Sequence, residues 1–161
     1  MNTHTAHIQT PLGIARVVSD DVGILEISVL DEKFDFVNSE NVPAVLTDCI
    51  IQLEEYFEGK RTEFNLTLAP KGTDFQQRVW SELNKIPHGK THSYLELSKK
   101  LGDVKAIRAV ASANGKNPLW IVTPCHRVIG SDGSLTGYAG GLWRKKWLLA
   151  HESPVKQQSL F

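Results

Sequence analysis

The chain has 161 residues, of which 41% are hydrophobic and 22% charged; that length suits one domain or two small lobes, and that balance argues against both a disordered and a membrane-embedded polypeptide. Apolar runs are too short to span a bilayer, and residues 1–7 lack a basic region followed by an apolar one, so no signal peptide is read and a cytoplasmic location is expected. The net charge of +0 hides an asymmetry: residues 1–70 hold 4 Lys/Arg and 12 Asp/Glu, residues 71–161 hold 14 and 6, so a half at −8 precedes one at +8. A basic half suits phosphate neutralisation, though a dipolar soluble protein would show the same split.

Short β-rich runs open the chain: residues 8–9, a turn at Pro11, Leu12 and Gly13, residues 14–18, a turn at Asp20 and Asp21, and residues 24–30. They predict an antiparallel meander. Val42, Val45, Leu46, Cys49, Ile50, Leu53, Tyr56 and Phe57 then recur at helical spacing, and Gly59 closes the run. Cys49 lies on that stripe and reads as a small buried hydrophobe. Residues 64–68 read as an extended link, so a β-rich lobe is expected at residues 1–69, a second domain at 70–152 and a flexible tail at 153–161.

The second domain opens with a capping box, Thr73-Asp74-Phe75-Gln76, after which Phe75, Val79, Leu83 and Ile86 line one helix face. A second box, Ser93-Tyr94-Leu95-Glu96, starts a short helix that Gly102 ends. Asp103 can cap a third helix through Ile107 and Val110, with Gly115 as its stop. The last two helices, with Lys105 and Arg108 on the second, form a helix-turn-helix candidate. Ala106, Ala109, Ala111, Ser112 and Ala113 make that second helix small-sided, which permits close approach to a nucleic acid or tight burial. Few long polar side chains remain to read base edges.

Two cysteines in a chain without an export signal are expected to be free thiols, and they are too few for a Cys-rich zinc site, so no metal is expected. The second stands in Thr123-Pro124-Cys125-His126-Arg127-Val128, where Pro124 fixes its own φ and biases Thr123 away from helix, presenting Cys125 on a turn. These residues alone leave two readings open: a buried cysteine beside a solvated histidine, or the nucleophile and base of a Cys-His hydrolase.

The longer run Asn117-Pro118-Leu119-Trp120-Ile121-Val122-Thr123-Pro124-Cys125-His126-Arg127-Val128 resembles the active-site signature of O6-alkylguanine-DNA alkyltransferases. Further segments resemble that family in the same order: Phe75-Gln76-Gln77-Arg78-Val79-Trp80, Ser93-Tyr94, Arg108-Ala109-Val110, Tyr138-Ala139-Gly140-Gly141-Leu142 and Trp147-Leu148-Leu149-Ala150-His151-Glu152. The match covers residues 70–152; the first lobe resembles the family in size and arrangement.

The resemblance implies an α/β (α+β) fold, in which a lobe of small antiparallel sheet plus helix packs on a helical, winged helix-turn-helix lobe carrying the active site. It implies a monomeric, cofactor-free repair protein that flips O6-alkylguanine, and also O4-alkylthymine, out of double-stranded DNA and moves the alkyl group irreversibly to Cys125. His126 would take the thiol proton through a water, and Glu152 would hold His126 in the right tautomer. Glu152 stands at a helix end, a poor place for a carboxylate without a partner such as His126. Asn117 would order the Cys125 turn and line the guanine pocket. Tyr94 would donate to the base, Arg108 would fill the gap left by the extruded nucleotide, and Tyr138 would flank the pocket. Ala106, Ala109 and Ser112 would lie against the DNA. Ala139 stands where some members have a serine, so a backbone amide must reach the guanine oxygen there. Arg127 and Val128 are assigned structural roles. A non-catalytic alkyl-base-binding protein, against which Cys125 argues, and a winged-helix regulator are the alternatives. Finally, Gln157-Gln158-Ser159-Leu160-Phe161 resembles the peptide by which bacterial repair proteins dock on the sliding clamp, departing from it at Gln158.

Overall fold

The computed structural model describes residues 2–154. Three strands, β1 (His4–Thr10), β2 (Gly13–Ser19) and β3 (Ile24–Leu30), form an antiparallel sheet in the order β1-β2-β3. Thr10 makes the first turn: its hydroxyl donates to Gly13 O at 2.6 Å and accepts from Leu12 N at 3.0 Å. Asp20 makes the second, its carboxylate accepting from the amides of Val22 and Gly23 at 2.8 Å each, a local bond by which short acidic side chains favour turns over strands. α1 (Ala44–Phe57) buries Leu46, Cys49, Leu53 and Tyr56 and packs on β1 and β2, where Ala6, Ile8, Ala15 and Val17 share one buried face. Each fully buried leucine, isoleucine or valine among them contributes about 1.5–3 kcal/mol. Gly59 ends the helix at φ +77°, a region open to glycine without steric cost.

The stretch after α1 does more than link. Gln52 on α1 grips the Asn65 backbone through both ends of its amide, at 3.0 and 2.9 Å. Ile24 then exchanges hydrogen bonds with Thr67 O and Ala69 N, both at 2.8 Å, so Leu68 bridges β3 in parallel. Residues 118–120 also belong to this unit, Ile27 donating to Pro118 O at 2.8 Å and accepting from Trp120 N at 3.1 Å.

The second compact unit comprises residues 72–117 and 121 onward. α2 (Asp74–Leu83) and α3 (Tyr94–Lys100) both carry reciprocal capping boxes, Thr73 with Gln76 and Ser93 with Glu96. The two-residue strands β4 (His92–Ser93) and β5 (Val128–Ile129) pair in parallel. Gly102, at φ +86°, turns the chain toward α4 (Ile107–Gly115). The helix expected directly after Asp103 starts as a 3-10 turn, Val104–Ala106, because the Asp103 carboxylate accepts from Lys105 N only two residues on. Trp80 ties α2 to α4 by donating its indole N–H to Ala113 O at 2.8 Å. Val79, Leu83, Ile86, Leu97, Val110 and Val128 form the core, with Cys125 at its margin. α5 (Leu142–Glu152) closes the unit.

The fold class is thus α+β, as expected: an antiparallel sheet with its helix, followed by a helical unit. Among the described residues no helix is long and apolar enough to cross a membrane, and no cluster of three His, Cys, Asp or Glu is placed to hold a metal ion.

Candidate active site

Cys125 begins a 3-10 turn, Cys125–Arg127, closed by Arg127 N donating to Pro124 O at 3.0 Å. The turn is held from the preceding segment: Asn117 Nδ2 donates to Thr123 O at 2.6 Å, and Ile121 sits at φ +72°. A β-branched residue in the left-handed region is strained by about 1–3 kcal/mol and persists only where surrounding contacts over-determine it; Ile121 is almost fully buried. Burial pushes the Cys125 thiol up, and four groups oppose it: the Asn117 side chain, the charge of Lys145, its own backbone amide and the Tyr138 side chain. Burial alone acts on the other thiol, Cys49, pushed up to about 12.

His126, directly after Cys125, is wholly buried, and its Nε2 lies 2.8 Å from Glu152 Oε2. Glu152 is the last residue of α5 and also buried. Arg127 grips the same carboxylate with both ends of its fork, Nε to Oε1 at 2.7 Å and Nη2 to Oε2 at 3.0 Å, while Nη1 donates to Ile86 O at 2.6 Å. Burial would raise the Glu152 carboxyl, but its contacts with His126 and Arg127 outweigh that and hold it well below the usual carboxylate range. Burial lowers the His126 imidazole, against the pull of Glu152. An ionised carboxylate only accepts, so Nε2 of neutral His126 carries the proton and Nδ1 is left basic. Among the described residues no group hydrogen-bonds Nδ1.

Lys145, one turn into α5, is completely buried and donates to Val128 O at 2.7 Å and Thr136 O at 2.9 Å. Burial lowers its ammonium to about 8, the thiolate form of Cys125 acting the other way. Neither the Arg127 fork nor Lys145 emerges from the sequence reading. A signal existed for the second: Lys145 shares the helical spacing of Leu148, Leu149 and Glu152, so a lysine stands on the inward face.

Beside this centre lies a cavity of about 530 Å³, lined by Tyr94, Ile107, Arg108, Ala111, Gly115, Thr136, Gly137, Tyr138 and Ala139. Tyr138 belongs to both, lining the cavity and lowering the Cys125 thiol. Tyr94 is the first residue of α3; Arg108 is exposed on α4. Ala109 and Ser112 are exposed on that helix, whereas Ala106 is half-buried against the core. The arrangement suits a guarded nucleophile: a thiol that polar groups lower against its burial, a neutral imidazole fixed by a paired carboxylate, and room alongside for a planar group.

Residues 74–154 match the family described as the DNA binding domain of 6-O-methylguanine DNA methyltransferase, and residues 4–70 its ribonuclease-like domain. The methylated-DNA–protein-cysteine methyltransferase of Mycolicibacterium paratuberculosis is 43% identical over 156 residues, spanning 95% of this chain and 94% of that protein. Its namesake from Methanosarcina barkeri is 42% identical over 151 residues, spanning 90% and 94%. The crystal structure of Mycobacterium tuberculosis O6-methylguanine methyltransferase is similar with a TM-score of 0.82 at 40% identity, covering 94% of this chain and 93% of that one. That of Mycobacterium tuberculosis OGT in complex with DNA is similar with a TM-score of 0.83 at 41% identity, covering 92% of each chain.

Proposed function

The chain belongs to the 6-O-methylguanine DNA methyltransferase family, and from that membership we propose that it repairs O6-alkylguanine in double-stranded DNA by moving the alkyl group onto Cys125 Sγ in one irreversible turnover. The observation that carries the assignment to Cys125 is its place on the turn that Asn117 holds through Thr123 O, directly before the His126–Glu152–Arg127 chain. A base inside a duplex cannot present its O6 substituent to a buried sulfur, so the nucleotide is rotated out at a cost of a few kcal/mol, and Arg108 fills the space it leaves. His126 Nδ1 accepts the Cys125 proton through a water, and the thiolate attacks the alkyl carbon. The C–O bond breaks with its electrons on guanine, where the Tyr94 hydroxyl and the backbone amide at Ala139 stabilise the developing charge. The product is a thioether without a ready leaving path, so the protein is consumed.

O4-alkylthymine is the second substrate of this reading, and the protein acts as a cytoplasmic monomer without a cofactor. The exposed small side chains Ala109 and Ser112 permit close approach of a DNA backbone to α4. Residues 157–161 lie outside the described residues; their proposed role as a sliding-clamp peptide rests on sequence, and loss of clamp binding but not of alkyl transfer on removing Leu160 and Phe161 is its test.

Incubation with a duplex carrying radiolabelled O6-methylguanine, followed by mass analysis of peptides, tests the main reading. One methyl mass on the Cys125 peptide and none on the Cys49 peptide is expected, and Cys125→Ser should bind DNA without reacting. Several methyl groups released per protein molecule would overturn the single-turnover mechanism.

A further inference from the structure

Between the cavity wall and α5 the chain packs in a way the transfer chemistry above does not use. Gly141 precedes α5 at φ +92°, and its N–H donates to Tyr138 O at 2.9 Å, so the wall residues turn sharply into the helix. A side-chain carbon on Gly140 would lie 3.1 Å from the Tyr138 ring and 3.4 Å from Arg144 Cδ; the Gly140 backbone is therefore pressed between those two side chains. Arg144 is only 5% exposed. Its Nη1 donates to Gly140 O at 2.9 Å, and its guanidinium carbon lies 4.5 Å from the centre of the Trp143 indole. Trp143 is itself 57% exposed, an uncommon position for so large an apolar ring. Its outer face meets solvent and its inner face covers the guanidinium, which screens from water the bond that Arg144 makes to the wall.

We propose that Arg144, clamped under Trp143, is a positioning residue that fixes the Tyr138–Gly140 wall of the cavity at the distance alkyl transfer requires. The proposal rests on the alkyl-transfer reading, because it is Tyr138 and the Ala139 backbone that the clamp holds toward the substrate and Cys125. A buried, planar guanidinium reaching a backbone carbonyl under an aromatic face is a rigid strut, whereas a surface arginine serving phosphates would be long, mobile and wet. Displacing a wall by about 1 Å can slow a reaction about 100-fold without altering how the rest of the ligand binds. The clamp therefore acts on the rate at saturation and leaves DNA affinity alone.

The test uses the full chain with Arg144→Ala, Arg144→Lys, Trp143→Ala and Trp143→Phe. Three quantities are read: the transfer rate at saturating O6-methylguanine duplex, the duplex dissociation constant with its salt dependence, and amide hydrogen exchange across residues 136–141. Both Arg144 variants should lose about 10- to 100-fold in saturating rate and exchange faster at the wall, with unchanged dissociation constant and salt slope. Lysine keeps the charge but lacks the planar fork, so it should not rescue. Trp143→Ala should show a smaller loss of the same kind, and Trp143→Phe, which keeps an aromatic face, should restore both rate and protection. Wild-type rate and exchange in every variant would overturn the proposal, as would losses confined to affinity with a shallower salt slope, which would make the pair a DNA contact. Should Arg144→Ala fail to fold, the two Trp143 variants decide alone. If the wild-type protein transfers no alkyl group the functional reading fails, while the exchange measurement still judges the clamp.

Discussion

Glu152 concentrates a conflict that one residue type resolves. It ends α5, where the helix dipole disfavours negative charge, and it is buried, where any charge is costly; Arg127 answers both by supplying a bidentate partner at 2.7 and 3.0 Å. A buried pair of this kind adds little relative to an apolar pair, but breaking it leaves one charge stranded, at about 3–5 kcal/mol. Glu152→Gln and Arg127→Met should each lower the unfolding free energy by about that amount, and the double variant should recover part of the loss in denaturant titrations. Strictly additive losses would mean that the two do not act as a pair. The sign of the pH dependence follows from the directions of the shifts. Glu152 is held below its ordinary 4.5, so its contribution is present above that pH and lost as acid brings the medium toward its folded value. His126 is held below its ordinary 6.5, so the unfolded chain takes up a proton before the folded one does. Wild-type stability should thus decline on acidification below 6.5 and again below 4.5, and the second decline should shrink in Glu152→Gln to what Asp20, Glu96 and Asp132, also held low, contribute. The Cys125, His126 and Glu152 positions could be read from the motif strings; Arg127 could not be, because a cation next to a histidine in sequence says nothing about a carboxylate 25 residues away.

At the scale of elements, legibility followed how local the determining contact is. Both capping boxes span four residues, and both form with the bonds their spacing dictates. The bridges of Leu68 and Leu119 to β3 carry no such signature, since either apolar run could equally have entered a strand, a link or a core. Ile121 likewise takes a backbone conformation its side chain disfavours, which no propensity argument anticipates. The Ser93 box also has a functional consequence, because Tyr94 is the first residue of the helix that Ser93 caps and lines the cavity. Ser93→Ala should cost about 1 kcal/mol of stability. Fraying the first turn should also slow alkyl transfer by more than this loss of folded protein explains. Measuring the rate at a temperature where the variant is fully folded separates the two, and an unchanged rate there would make the box purely structural.

Across the whole molecule, the contrast between the −8 and +8 halves was plain in the sequence, but its meaning depends on which cations are free to meet phosphate. Arg127, Arg144 and Lys145 are buried and committed to Glu152, Gly140, Val128 and Thr136, so they are subtracted from any DNA-facing charge. Lys99, Lys100, Lys105, Arg108 and Lys116, on and around α3 and α4, are exposed. If most of these reach phosphates, the logarithm of the DNA association constant should fall with the logarithm of salt at a slope of about −4, from roughly −0.9 per contact. Charge alone does not distinguish Arg108 from its neighbours; its position on the cavity does. Replacing Lys105 by alanine should reduce the slope by about one and weaken binding evenly across sequences. Arg108→Ala should instead slow transfer from duplex DNA while leaving alkylation by free O6-benzylguanine near the wild-type rate, since a free base needs no extrusion and leaves no gap to fill. Equal losses on both substrates would assign Arg108 to the pocket chemistry, and a loss confined to the salt slope would make it one more phosphate contact.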